Sequence, residues 1–195
     1  MKLPNLNDCS IIIIGLGYVG LPLAVEFAIS EKNISSQLIN KRKVIGFDLD
    51  NQRIKDLRNM VDKTGEVSSL KLSKAKHLYF TADKSELLSG DVFIVTVPTP
   101  IDKEKKPDLS YLENACSTVG ELIKKRIRNN SPIVIFESTV YPGTTEEICI
   151  PIIEKVSELK LNRDFYCGYS PERINPGDSK YTLTNIKKIT SGSCI

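Results

Sequence analysis

The apolar run Ile11-Ile12-Ile13-Ile14 leads into Gly15-Leu16-Gly17-Tyr18-Val19-Gly20, and a helix-compatible stretch, residues 21–30, follows at once. Strand, glycine turn, helix is a narrow specification. In the G-x-G-x-x-G spacing, the first glycine permits a sharp turn and the second lets the backbone approach a pyrophosphate. The third lets helix and strand pack closely. The amides and dipole at a helix start favour phosphate charge. The loop carrying Gly15, Gly17, Tyr18, Val19 and Gly20 is therefore a candidate dinucleotide cradle. Pro22 falls just inside the helix, where it loses at most one backbone hydrogen bond and bends the helix locally.

The remainder repeats the alternation. Near-continuous apolar runs at residues 11–14, 44–47, 77–81, 92–97, 133–136 and 165–168 read as strands covered on both faces. Helical stretches lie between several of them, at residues 21–30, 51–60, 84–88, 109–128 and 144–159. This order predicts an α/β fold: a doubly wound (Rossmann), mainly parallel sheet of about six strands. Residues 101–108 read as an exposed loop ending in a cap at Asp108 or Ser110, and Pro142-Gly143 reads as a turn feeding a helix.

Size and charge exclude several alternatives. A chain of 195 residues with 41% apolar content builds one packed domain, or one plus a fragment. The net charge is +3, and the basic residues are scattered among acids with no aromatic-rich basic face, which predicts no nucleic-acid partner. Residues 9–29 are nearly uncharged, yet three glycines, Pro22 and Glu26 argue against a membrane span. The five cysteines, Cys9, Cys116, Cys149, Cys167 and Cys194, include no C-x-x-C, and His77 is the single histidine. A disulfide framework or zinc site is not expected, and a reducing cytoplasm fits.

Asp48 closes the second strand, 28 residues after Gly20, with the polar stretch 30–42 read as a lengthened connection. A carboxylate there accepts hydrogen bonds from both adenosine ribose hydroxyls and repels a 2′-phosphate, which favours NAD over NADP. The bland alternative is a solvated strand-end acid. Arg53, one turn into the next helix, either reaches the same nucleotide or lies on the surface. The fourth strand ends in Pro98 and Thr99 and the fifth in Ser138 and Thr139, at the carboxyl edge where ligands bind in such folds. These hydroxyls either hold a cofactor amide, ribose or water, or cap the local backbone. Glu172, after the sixth strand, is either a general base near the same crevice or a surface acid beside Arg173.

Taken together, the stretches GLGYVGLPLAVEFA, GFDLDNQRI, TGEV at residues 64–67, VTVPTPID, ESTVYPGTTEE and YSPERINPGD resemble the UDP-glucose/GDP-mannose dehydrogenase family. The SPERINPGD form is similar to the bacterial branch that oxidises UDP-N-acetylhexosamines for surface polysaccharides such as Vi antigen or enterobacterial common antigen. The UDP-glucose branch usually has Phe-Leu in place of Arg173-Ile174. The resemblance implies NAD-dependent, four-electron oxidation of a sugar C6 alcohol to a carboxylate, through a thioester on a cysteine of a later domain. Carried over, Gly15, Gly17, Gly20, Asp48 and Arg53 bind NAD. Thr139 matches the threonine that holds a catalytic water, and Glu172 the glutamate that assists thioester hydrolysis. The family's nucleophile sits in a GGxCxPxD motif that these 195 residues lack, and its catalytic Lys and Asn lie on a central helix, also absent. Cys194 has neither the proline nor the Asp of that motif. Residues 1–195 are thus expected to form a dinucleotide-binding domain, without the family's dimerisation and UDP-sugar domains, and not to complete turnover alone. Full-length members of the family oligomerise. Competing readings are another Rossmann dehydrogenase, a methyltransferase, or a non-catalytic NAD-binding remnant.

Overall fold

A computed structural model describes residues 2–29, 42–173, 183 and 185–194. The connection 30–42 lies almost wholly outside the described residues, as does 174–178 of the SPERINPGD stretch. The chain runs β1 (Ser10–Ile14), α1 (Gly20–Ile29), β2 (Lys43–Phe47), α2 (Asn51–Arg58), α3 (Ser69–Lys74) and β3 (Leu78–Thr81). A 3₁₀ turn (Lys84–Leu87) precedes β4 (Val92–Val95), α4 (Ser110–Lys125) and β5 (Ile133–Phe136). A π turn (Thr145–Cys149) then opens into α5 (Ile150–Ser157), followed by β6 (Tyr166–Tyr169) and β7 (Ser191–Gly192).

These strands form one sheet in the order β3-β2-β1-β4-β5-β6-β7. Neighbours from β3 to β6 run parallel, and β7 pairs antiparallel with β6 through Gly168–Gly192 and Tyr169–Ser191. The expected six strands are present, and the seventh is a two-residue addition held by backbone pairing. Strand order reverses between β1 and β4, so the connections leaving their carboxyl ends part and open a crevice there.

Alternation along each buried strand divides the core in two. Ile12, Ile14, Ile45, Phe47, Phe93 and Val95 face α4 and α5, where Leu112, Val119, Leu122 and Ile153 cover them. Ile11, Ile13, Val44, Val92 and Ile94 face α1, α2 and α3, covered by Leu21, Val25, Ile54, Leu57 and Leu72. Helices on both faces explain why the strands carry few polar residues. The apolar stretch that begins at Cys9 is resolved into a buried five-residue strand and a ten-residue helix. Among the described residues, no helix is long and apolar enough to cross a membrane.

Three local features depart from the sequence reading. The six-residue α3 has one buried side chain, Leu72, and starts at a Ser68 cap that accepts from the Lys71 amide. Residues 84–87 wind as 3₁₀ rather than α. The stretch read as one helix from 144 begins with a π turn, in which the Ile150 N–H reaches back to the Thr145 carbonyl. Pro151 follows and has no N–H to extend a regular α ladder.

The amino-terminal edge of the sheet is tied by Asp91, whose side chain is 1% exposed. It accepts from the Ser10 amide at 2.9 Å, from Arg126 Nη2 at 2.9 Å and from Asn130 Nδ2 at 2.9 Å. This network lies at the end of the strands opposite the crevice.

Candidate cofactor site

The glycine loop divides its three roles cleanly. Gly15 has φ +94°, a left-handed conformation that favours glycine, and its N–H donates to the Phe47 carbonyl at 2.9 Å. A Cβ on Gly20 would lie 1.9 Å from the Gly15 carbonyl oxygen and 2.4 Å from Thr96 Oγ1. The third glycine is therefore enforced by packing. A Cβ on Gly17 would meet nothing within 4 Å. That space lies immediately before the first turn of α1, where the Leu21 and Leu23 N–H groups donate back to the Gly17 and Val19 carbonyls at 3.1 and 3.3 Å. Pro22 sits in this same first turn, where its missing N–H costs little.

Leu16, itself fully buried, is gripped on both of its backbone groups. Its N–H donates to Asp48 Oδ2 at 2.8 Å, while Asp48 Oδ1 accepts the Asp50 amide at 2.9 Å. Its carbonyl accepts from Arg53 Nε at 2.9 Å and Nη2 at 2.7 Å. Asp48 thus stands beside the loop at the end of β2, half-buried. Arg53 is committed to the loop backbone and, through Nη1, to Asp62 Oδ1 at 2.7 Å.

Thr96, which the sequence reading passed over, locks the turn from β4. Its hydroxyl donates to the carbonyls of Ile14 and Gly15, at 3.1 and 2.8 Å. Thr96 lies within the VTVPTPID stretch, but its reach to the carbonyls at the end of β1 shows only in the folded chain. The predicted hydroxyls at the neighbouring strand ends work on backbone as well. Ser138 Oγ donates to the Val97 carbonyl at 2.6 Å, and Thr99 Oγ1 to the Thr139 carbonyl. They knit the ends of β4 and β5 together, which is the capping alternative for Thr99 and Ser138. Thr139 is exposed beside them, as is Pro98. Tyr18 is also exposed on the glycine loop, with Val19 half-buried next to it.

Glu172 is not a free surface acid. Its side chain is 7% exposed and lies 3.6 Å from Lys188 Nζ, which also pairs closely with Glu137. Burial raises the Glu137 carboxyl above its ordinary value, the Lys188 contact opposes the shift and Glu172 adds to it. Glu137 lies inside the ESTV stretch, but Lys188 is 51 residues away in sequence, a pairing that spacing cannot announce. A shallow hollow of about 800 Å³ lies elsewhere, between α2 and the end of β3 around Lys55, Arg58, Thr81 and Asp83.

A positive-φ glycine turn, an open second glycine, a packed third glycine and an acid at the end of β2 define a dinucleotide-binding Rossmann domain. The comparisons with known proteins agree. The profile of the UDP-glucose/GDP-mannose dehydrogenase family, NAD binding domain, matches residues 9–194, and the chain belongs to this family. It is 50% identical over 188 residues to the UDP-N-acetyl-D-glucosamine 6-dehydrogenase of Pseudomonas aeruginosa, covering 96% of this chain and 41% of that protein. The enzyme of the same name from Salmonella typhi is 50% identical over 189 residues, covering 97% of this chain and 41% of that one. The chain thus spans about two-fifths of the length of these relatives. Among solved structures, UDP-D-ManNAc dehydrogenase from Pyrococcus horikoshii superposes with a TM-score of 0.72 at 35% identity, over 86% of this chain and 37% of that one.

Proposed function

We propose that this chain is the NAD-binding part of a nucleotide-sugar 6-dehydrogenase that oxidises the C6 alcohol of a UDP-N-acetylhexosamine to the uronate for surface polysaccharide synthesis. The observation that carries the cofactor assignment is the Leu16 clamp: an acid at the end of β2 grips the loop beside a Gly17 that leaves its outer face open. The pyrophosphate lies against the amides of Gly17, Tyr18, Val19 and Gly20, with Gly15 shaping the turn. Asp48 faces the adenosine ribose with its remaining acceptor capacity, and Arg53 backs the loop. Pro98, Thr99, Ser138 and Thr139 border the path towards the sheet centre. When bound, NAD supplies a hydride acceptor. The substrate class rests on the two UDP-N-acetyl-D-glucosamine 6-dehydrogenases at 50% identity and on the SPERINPGD stretch.

In this reading Thr139 orients a water, and Glu172 accepts its proton when the acid is released. Lys188 stands 3.6 Å from Glu172 and pairs closely with Glu137, so Glu172 belongs to a three-membered charged cluster. Residues 1–195 form the cofactor-binding unit, acting in the cytoplasm with a sugar-binding portion that supplies the nucleophilic cysteine. Mixing this chain with a separately expressed carboxyl-terminal half of a 50%-identical relative tests the assignment. NADH formation from a UDP-N-acetylhexosamine is expected from the mixture and not from this chain alone. Turnover by this chain alone, or none from a mixture whose two halves demonstrably associate, refutes it.

A further inference from the structure

Asp62 is the most heavily engaged acid outside the site already described. Its side chain is 0% exposed. Oδ1 accepts from Arg53 Nη1 at 2.7 Å, the Thr64 amide at 3.0 Å and Thr64 Oγ1 at 2.7 Å. Oδ2 accepts from the Glu66 and Val67 amides at 3.0 and 2.9 Å. One carboxylate thus gathers the TGEV turn around itself and offers its charge to a single guanidinium.

That guanidinium holds the carbonyl of Leu16 through two N–H groups. A peptide unit is planar and trans, so its carbonyl and the next residue's N–H point in opposite directions. Fixing the Leu16 carbonyl towards α2 therefore aims the Gly17 N–H away from α2. Gly17 is where the loop leaves space open. The Arg53 side chain is only 10% exposed, and a cation that buried needs a paired anion to stay in place. Asp62 is that anion.

We propose that Asp62 is a positioning residue for the cofactor loop: through Arg53 and the Leu16 carbonyl it sets the direction of the Gly17 amide that receives the pyrophosphate. This deepens the cofactor reading above and rests on it. It also assigns a task to the TGEV turn, which ties α2 to the glycine loop from behind.

The test is a double-mutant cycle read by NADH fluorescence titration. Asp62→Asn and Arg53→Met are each expected to raise the NADH Kd about tenfold, as for loss of one charge-assisted contact. The double variant is expected to bind no more weakly than either single variant, because both act through one contact. Val119→Ala, a core truncation on the opposite face of the sheet, is the control for lost stability and is expected to leave the Kd unchanged. A wild-type Kd in Asp62→Asn, or losses that multiply in the double variant, overturns the proposal. If Asp62→Asn does not fold, Arg53→Lys decides. It keeps the charge facing Asp62 but loses the fork on Leu16, so it should bind several-fold more weakly; wild-type affinity overturns the proposal. Absence of NADH binding by the wild-type chain would instead overturn the cofactor reading beneath it.

Discussion

Alanine at Gly17 and at Gly20 should separate binding from folding, although the two positions lie in one six-residue loop. At Gly20, the new methyl lies 1.9 Å from the Gly15 carbonyl oxygen and 2.4 Å from Thr96 Oγ1, against ordinary contacts from 3.4 Å upward. The Gly15 carbonyl must retreat by about 1.5 Å from that 1.9 Å approach, which breaks its 2.8 Å hydrogen bond from Thr96. Overpacking of this kind costs about 1–3 kcal/mol and the lost hydrogen bond about 1 kcal/mol more. A total near 3 kcal/mol corresponds to a fall in Tm of roughly 6–12 °C for a chain of this size. At Gly17, the methyl enters open space with no positive φ to strain it. The free chain should keep its stability to within about 1 kcal/mol, with a gain more expected than a loss. A methyl in the pyrophosphate path should nevertheless raise the NADH Kd at least about tenfold. Thermal unfolding monitored by circular dichroism, with and without NADH, reads both effects. Equal Tm losses in the two variants, or unimpaired NADH binding by Gly17→Ala, would refute the division of roles.

Asp91→Asn should destabilise the chain by about 3 kcal/mol in urea unfolding, because it leaves a buried Arg126 without its counter-charge. NADH affinity should not change, since Asp91 lies at the far end of the strands. Burial pushes the Asp62 carboxyl up, but hydrogen bonds from Thr64, Arg53 and Val67 outweigh it and hold the group below its ordinary 3.8. An acid with a depressed folded value contributes stability above the unfolded value and loses it as pH falls through the folded one. The stability gap between wild type and Asp62→Asn should therefore be constant above about pH 5 and shrink as the pH approaches about 3, as read by urea unfolding. Thiol titration with Ellman's reagent should find Cys194 fast-reacting, because it alone of the five is exposed. Burial pushes Cys9 up to about 11 and Cys167 up to about 12, and a hydrogen bond to Cys149 raises Cys116, so these thiols should react only on unfolding.

The elements that were legible in the sequence are those whose signal is local. Buried parallel strands read as apolar runs because helices cover both faces, so Ile11–Ile14 and Val92–Val95 declare themselves without partners. The glycine loop is legible because backbone sterics act over six residues, and Asp48 because it closes a strand. What escaped depends on contacts distant in sequence or on elements too short to show a period. The six residues of α3 bury only Leu72, and β7 is two residues paired through backbone. Thr96 is separated from its acceptors Ile14 and Gly15 by more than 80 positions, and Lys188 from Glu137 by 51. Arg53 was read as reaching the nucleotide or lying on the surface, and its partners, the Leu16 carbonyl and Asp62, emerge only when α2 is laid beside the loop. The helix from residue 144 was found but not its π turn, which reflects the amide missing at Pro151.

Titration of the wild-type chain and of Asp48→Lys with NADH and NADPH, followed by nicotinamide fluorescence, reaches the core of the account. Wild type should bind NADH saturably and prefer it to NADPH by well over about tenfold. The lysine variant should lose most of its NADH affinity and narrow or invert that preference. Indistinguishable curves for the two chains, or no binding by either, would contradict it.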